Sequence, residues 1–156
     1  MSVRTITLVL AMFVVCVSLH AQQDPLMGTW KLNLSKSKYS PGPPPRSRIL
    51  KFESSPNDGL KMTNDGITAN GEKTHTVEPF VQDGKDHPST DLQGVDTRVS
   101  RRIDAYTTET INKKGGQTVQ VLQRIVSKDG KTLTITVKGK TATGAPLDDV
   151  RVFDKQ

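Results

Sequence analysis

Beyond its first twenty or so residues the chain alternates apolar and polar positions with a period of two. KTLTITVK sets Leu133, Ile135 and Val137 on one face and Thr132, Thr134 and Thr136 on the other. QTVQVLQRIVS repeats the pattern with Val119, Val121 and Ile125. TRVSRRID repeats it with Val99 and Ile103, and SRILKFESS with Leu50 and Phe52. That period is the pleat of a strand with one buried face, and threonine suits the other face of a pleated sheet. No segment repeats apolar residues at three and four over several turns, so no amphipathic helix is predicted.

Turn residues punctuate these runs. Asn57-Asp58-Gly59, Asn64-Asp65-Gly66, Asn70-Gly71, Asp83-Gly84, Lys114-Gly115-Gly116 and Asp129-Gly130 all tolerate the positive φ of tight hairpins. The pattern predicts an all-β antiparallel up-and-down meander of roughly eight to ten strands, enough to close a small barrel. Residues 38–47, KYSPGPPPRS, hold four of the nine prolines. Proline removes a backbone donor, so this stretch reads as a stiff connection between the first and second strands, crossing one end of the barrel.

The N-terminus changes the picture of where the domain works. Arg4 precedes an apolar run from Ile6 to Leu19, and Ala21 stands before two glutamines. A basic start, an apolar middle and a small residue at the cut make residues 1–21 a signal peptide, too short for a comfortable membrane span. Cys16 follows Val15, where a lipoprotein signal needs a small residue, so it belongs to the apolar run. The expected product is a soluble, secreted or periplasmic domain of residues 22–156, with no stable membrane insertion.

Removing residues 1–21 takes away the only cysteine and one basic residue, leaving 21 basic against 16 acidic residues, a net charge of +5. Packing and backbone hydrogen bonds must therefore hold the fold without disulfides. Only 37 of the remaining 135 residues are apolar. A single curled sheet, with one face to bury, suits that supply better than a two-layer helical domain.

The only tryptophan, Trp30, lies in DPLMGTWKLN. G-x-W opening the first strand of an up-and-down meander resembles the calycin group of small ligand-binding barrels. The chain most resembles short secreted bacterial lipocalin-like proteins without assigned roles, which begin with a similar GTWKLN, continue through a serine-, lysine- and proline-rich link and end in a similar hairpin. The start is also similar to that of the fatty-acid-binding proteins, whose last strand ends in Arg-x-Tyr where this chain has Arg151-Val152-Phe153. Those proteins follow the first strand with a helical pair that lids the cavity. SPGPPPRS stands there instead, so their mode of ligand entry is not implied.

The resemblance implies a structural motif of Gly28, Trp30 and Arg151. Trp30 plugs one end of the barrel, Gly28 lets the backbone bend close to its neighbour, and a basic residue of the last strand, matched by Arg151, packs across the indole. The fatty-acid binders imply a second role for Arg151, holding a ligand carboxylate inside. Phe153 replaces the partner tyrosine, and Val150 and Val152 compete with Arg151 and Phe153 for the inner face. A buried unpaired arginine is costly, so the structural role is the expectation and the inward one stays open.

Other chemistry is sparse. His75 and His87 are the only histidines after residue 21. DGKDHPSTD gathers Asp83, Asp86, His87 and Asp91, but its spacing matches no metal loop and reads as a solvated turn. Glu72, Glu78 and Glu109 give no sign of converging, and no nucleophile elbow or phosphate loop is present. Arg98, Arg101, Arg102, Lys113 and Lys114 form a basic cluster along one hairpin, without the aromatics that stack on bases, and read as a solvated face. Neither a nucleic-acid partner, a metal nor a cofactor is expected.

Together these features predict a monomeric, non-catalytic lipocalin-like barrel that binds a small apolar or amphipathic molecule. Phe52, Met62, Val99, Leu133, Ile135 and, if it turns inward, Arg151 are the expected lining. The competing expectation is an envelope interaction domain with a side-chain-filled interior and a partner on its outer surface. A third, an isomerase or hydrolase, requires His75 or His87 beside a carboxylate at a cavity mouth.

Overall fold

The structure is a computed structural model describing residues 24–56, 59–90 and 92–156. The expected signal peptide, Cys16, Asn57-Asp58 and Asp91 lie outside the described residues. The described chain forms β1 (Gly28–Leu32), β2 (Ser47–Ser55), β3 (Gly59–Ile67), β4 (Lys73–Phe80) and β5 (Asp83–Pro88). It continues through β6 (Thr97–Arg102), β7 (Thr107–Lys114), β8 (Gln117–Val126), β9 (Thr132–Lys140) and β10 (Pro146–Lys155). One 3-10 turn, Leu34–Lys36, follows β1 and is capped by the Asn33 side chain, which accepts from Lys36 N at 3.2 Å.

All ten strands belong to one antiparallel sheet in the order β4-β3-β2-β1-β10-β9-β8-β7-β6-β5. The first and last strands therefore lie together: Trp30 pairs with Lys155 on one side and Leu50 on the other. The sheet's two edges, β4 and β5, are consecutive in the chain. The sheet curls until those edges face each other, and an ion pair between Glu78 of β4 and Arg98 of β6 crosses the seam. An all-β meander curling into a small barrel is the predicted fold.

Two predicted turns are not turns. Asn64-Asp65-Gly66 lies within β3, and the reversal comes at residues 68–72, where Gly71 N donates to Thr68 O at 3.1 Å. Asp83-Gly84 begins β5, so the stretch read as a solvated loop is largely an edge strand paired with β6. Asx and glycine residues mark local backbone permission, and strand pairing overrides it where a partner lies alongside.

Which face turns inward was legible in some strands and not in others. Leu50 and Phe52 of β2 and Leu133, Ile135 and Val137 of β9 point inward, as the alternation predicts. In β6 and β8 the expectation is overturned. The inner positions are Arg98 and Ser100, then Gln120, Leu122, Arg124 and Val126, while Val99, Val119, Val121 and Ile125 take the outer face. In β10 the inner residues are Asp149, Arg151 and Phe153, so Val150 and Val152 face out.

Apolar packing fills one end of the barrel. Leu26, Trp30, Phe52, Leu60, Phe80, Val126, Leu133 and Phe153 are buried there, and the Phe52 and Phe80 rings meet edge-on at 5.8 Å. Trp30 is fully enclosed, and its indole Nε1 donates to Leu26 O at 2.8 Å. Its polar handle is thus satisfied inside an apolar floor.

The opposite end receives the connection from β1 to β2. Residues 33–40 run beside β10: Asn33 N donates to Val152 O at 2.8 Å, Lys38 N to Val150 O at 2.7 Å and Asp148 N to Ser40 O at 2.8 Å. Lys38 and Val150 form a bridge pair, which turns the next residue, Tyr39, toward the interior. The proline-rich link is thus tied along the last strand before it crosses to β2.

Candidate functional site

Above the apolar floor the barrel encloses a cavity of about 370 Å³. That volume lies at the small end of the range for small-molecule sites. One wall, from β2, β3, β9 and β10, is mainly apolar, with Leu50, Met62, Ile135, Val137 and Phe153. The other, from β4, β6, β7 and β8, is mainly polar, with Thr74, Thr76, Glu78, Arg98, Asn112, Gln120 and Arg124. Inward polar residues on these strands follow from the alternation in TTETINKK and QVLQRIV, which puts Thr108, Thr110 and Asn112, then Gln120 and Arg124, on the concave face.

Of the predicted lining, Met62, Ile135 and Arg151 border the cavity. Phe52 and Leu133 instead belong to the packed floor. Val99 sits on the outer face, because the inner positions of β6 carry Arg98 and Ser100. Gly28 and Trp30 lie at the floor, where Gly28 has φ +119°. Arg151 does not cover the indole: Lys155 does, with Nζ 4.9 Å from the ring centre. Lys155 is the direct register partner of Trp30, whereas Arg151 is four residues further along β10 and reaches into the cavity.

Four arginines border this cavity: Arg48, Arg98, Arg124 and Arg151. Two have carboxylate partners. Arg151 Nε and Nη2 donate to Asp149 Oδ2 at 3.0 and 2.7 Å, and Asp149 Oδ1 accepts from Ser40 N at 2.9 Å. Arg98 Nη1 donates to Glu78 Oε2, and Arg98 Nε to Asn112 Oδ1 at 3.3 Å.

Arg124 is held differently. It is 5 % exposed, and Nη1 donates to Thr110 Oγ1 at 2.7 Å, a hydroxyl that also bonds Ser100 Oγ at 2.8 Å. Its guanidinium lies over the Phe80 ring at 4.9 Å, and Nε has no hydrogen-bond partner among the described residues. Burial pushes Arg124 down to about 10, with the neighbouring Arg98 charge adding to the effect, so it is still a cation at neutral pH. Arg48 is also lowered, by burial first and then by the charge of Arg151. Among the described residues, no carboxylate lies within ion-pair distance of Arg48 or Arg124. Arg124 is buried and Arg48 half-buried, with Glu78 and Asp149 acting on them only from beyond ion-pair distance. Cations so placed are costly, and the arrangement is complementary to an anion.

Arg48 and Arg124 escaped the sequence reading, although a signal was present. Arg48 stands two residues before Leu50 and four before Phe52. Arg124 lies midway between Leu122 and Val126. Each shares strand parity with residues that must be buried, so each is on the inner face.

The remaining candidate groups go elsewhere. His75 Nδ1 meets Asp65 Oδ1 at 2.6 Å and His87 Nε2 meets Asp83 Oδ1 at 2.9 Å, but neither histidine borders the interior cavity. The basic cluster of one hairpin is divided. Arg98 turns inward, Arg101 bonds Glu109 at 2.6 Å, Arg102 bonds Asp24, Lys113 bonds Asp86 at 3.0 Å and Lys114 bonds Asp96 at 2.7 Å.

No family model matches the chain, and no curated protein matches it. Among solved structures, the fold is similar to that of the wild-type fluorescent protein UnaG, with a TM-score of 0.57 and 16% identity over 84% of this chain and 97% of that one. It is likewise similar to the Schistosoma mansoni fatty acid binding protein in complex with arachidonic acid, with a TM-score of 0.56 and 15% identity over 85% of this chain and 96% of that one. At such identities the likeness establishes the fold: a ten-stranded antiparallel barrel of the fatty-acid-binding-protein type.

Proposed function

We propose that the protein is an exported, non-catalytic barrel that binds a small amphipathic anion in its interior. The observation that carries this reading is Arg124, a buried guanidinium that borders an internal cavity with no carboxylate in ion-pair reach among the described residues. A bound acid group would supply the missing counter-charge, while Leu50, Met62, Ile135 and Phe153 receive the apolar part. The cavity itself favours a carrier over a side-chain-filled interaction domain. Arachidonic acid in the Schistosoma protein, a carboxylate with an apolar tail, is a molecule of this class.

The test combines recovery and binding. Native mass spectrometry of protein purified from its own compartment is expected to show a copurifying small acid on a chain that begins at Gln22. With purified protein, the fluorescent anion 1-anilinonaphthalene-8-sulfonate should bind and be displaced by decanoate, and Arg124→Met should weaken decanoate about tenfold or more, as for loss of a hydrogen-bonded charge. Bare protein that takes up neither anion would overturn the reading.

A further inference from the structure

The cavity is bordered by a second cation without an ion-pair partner among the described residues, and Arg124 does not account for it. Arg48 enters from the start of β2, at the end of the barrel that receives the proline-rich link. Tyr39, from that link, is tucked beside it. The Tyr39 ring packs against the core and lies 5.7 Å from the guanidinium of Arg151, and its hydroxyl is buried without a hydrogen-bond partner among the described residues. Arg151 has its counter-charge in Asp149, to which Nε and Nη2 donate. Among the described residues, no carboxylate forms an ion pair with Arg48.

Resting on the carrier reading above, we infer that the ligand bears two acidic groups, the first held by Arg124 and the second by Arg48 together with the Tyr39 hydroxyl. One monoacid compensates Arg124 and leaves the half-buried Arg48 without an ion-pair partner among the described residues, in a space of about 370 Å³. A diacid compensates both. The Tyr39 hydroxyl is suited to the second group because a phenol donates one hydrogen bond to a carboxylate and brings no competing negative charge. Its setting supports this. Burial raises the Tyr39 pKa above that of a free phenol, so the hydroxyl keeps its proton at neutral pH even with Arg151 and Arg48 nearby. The link thus supplies a hydroxyl donor near the last strand, where Phe153 offers none. It does so from a segment fixed along β10 by Lys38 and Ser40.

The experiment compares α,ω-diacids, from hexanedioate to dodecanedioate, with monoacids of equal carbon count, by displacement of 1-anilinonaphthalene-8-sulfonate and by calorimetry. At the best length the diacid is expected to bind about tenfold or more tightly than its monoacid, the effect of one added charge-assisted hydrogen bond. An apolar pocket with a single anchor would show the reverse, since the extra carboxylate must be stripped of water. Tyr39→Phe and Arg48→Met should each weaken the diacid far more than its monoacid and so remove the diacid's advantage, whereas Arg124→Met weakens both. Tyr39→Phe deletes one oxygen and keeps the ring, so it stays informative if Arg48→Met disturbs folding. Monoacids binding as well as every diacid, with Tyr39→Phe silent, would overturn the second station and leave the carrier intact. Binding of neither class to the unaltered protein would overturn both.

Discussion

Lys155 Nζ lies 4.9 Å from the centre of the Trp30 ring, and the two residues are direct register partners between β10 and β1. The pair joins the last strand to the first at the closed end. Gly28 belongs to the same arrangement: with φ +119°, a Cβ there would stand 2.9 Å from Lys155 Cε. A side chain at Gly28 would be strained in its backbone and would push the lysine off the indole. Trp30→Ala is expected to cost roughly 3–5 kcal/mol, as truncation of a fully buried aromatic. Lys155→Ala should cost only about 0.5–1 kcal/mol, because the cation is exposed. Chemical denaturation of both variants checks the ratio, and equal losses would mean that the cation, rather than the indole's burial, dominates.

Gly139 answers to a sharper constraint. It lies in β9 with φ +141°, and a Cβ would meet Val119 O at 2.1 Å and Gln120 Cα at 2.8 Å. Those are backbone atoms of β8, which cannot swing aside as a side chain can. Gly139→Ala is expected to destabilise the barrel by about 2–3 kcal/mol, through overpacking and backbone strain together. Hydrogen exchange should show the loss between β8 and β9 first. An alanine variant with an unchanged denaturation midpoint would show that the two strands separate there at little cost.

Arg124→Met gives a prediction of opposite sign. The guanidinium is buried without a carboxylate within reach among the described residues, so its charge is a burden on the empty barrel. Methionine has similar length, and Thr110 would keep its bond to Ser100 at 2.8 Å. Replacement is expected to raise the stability of ligand-free protein by about 1–2 kcal/mol, as when buried ions give way to apolar residues. Equilibrium denaturation measures it. A fall of the same size would mean that the bond to Thr110 and the contact with Phe80 outweigh the burial of charge.

The strands and their meander were legible because backbone pairing and turn chemistry leave local traces. IVSKDGKTLTITV shows a hairpin by itself, and β9 alternates cleanly because its own inner positions, Leu133, Ile135 and Val137, are all apolar. The cavity left a fainter trace. In β6 and β8, Val99, Val121 and Ile125 occupy the outer face, and the inner one mixes Arg98, Ser100, Gln120 and Arg124 with Leu122 and Val126. A rule that sends apolar residues inward therefore assigns Val99 to the wrong side. A one-residue error in parity moves a whole strand's side chains. Arg151 was misassigned for a related reason. A single strand cannot reveal that Asp149, two residues away on the same inner face, is there to neutralise it.

Glu78→Gln tests the seam between the sheet's edges. Glu78 and Arg98 are both nearly buried, with side chains 10% and 12% exposed, and their ion pair links β4 to β6 across the unpaired edges. The amide keeps the shape and removes the negative charge that Arg98 meets across the seam. A loss of roughly 2–4 kcal/mol is expected, with faster hydrogen exchange along β4 and β5. Exchange that quickens uniformly over all strands would indicate that the seam is held by other contacts.

Asp154 gives the pH dependence. Its carboxylate accepts from Asn33 Nδ2 at 2.6 Å and from Lys36 Nζ at 3.1 Å, tying β10 to the turn after β1. The Asn33 hydrogen bond first, and Lys36 second, hold its pKa below the ordinary carboxylate value. A carboxyl whose folded pKa is depressed stabilises the fold above the unfolded pKa, and that contribution disappears as pH falls through the folded one. The melting midpoint of the unaltered protein should therefore exceed that of Asp154→Asn at neutral pH. As pH falls below about 4, the ordinary value for an aspartate, the gap should narrow, and it should close once the carboxylate is protonated in both states. A gap that stays constant down to about pH 2 would assign the difference to packing at the strand end, with no share for the charge.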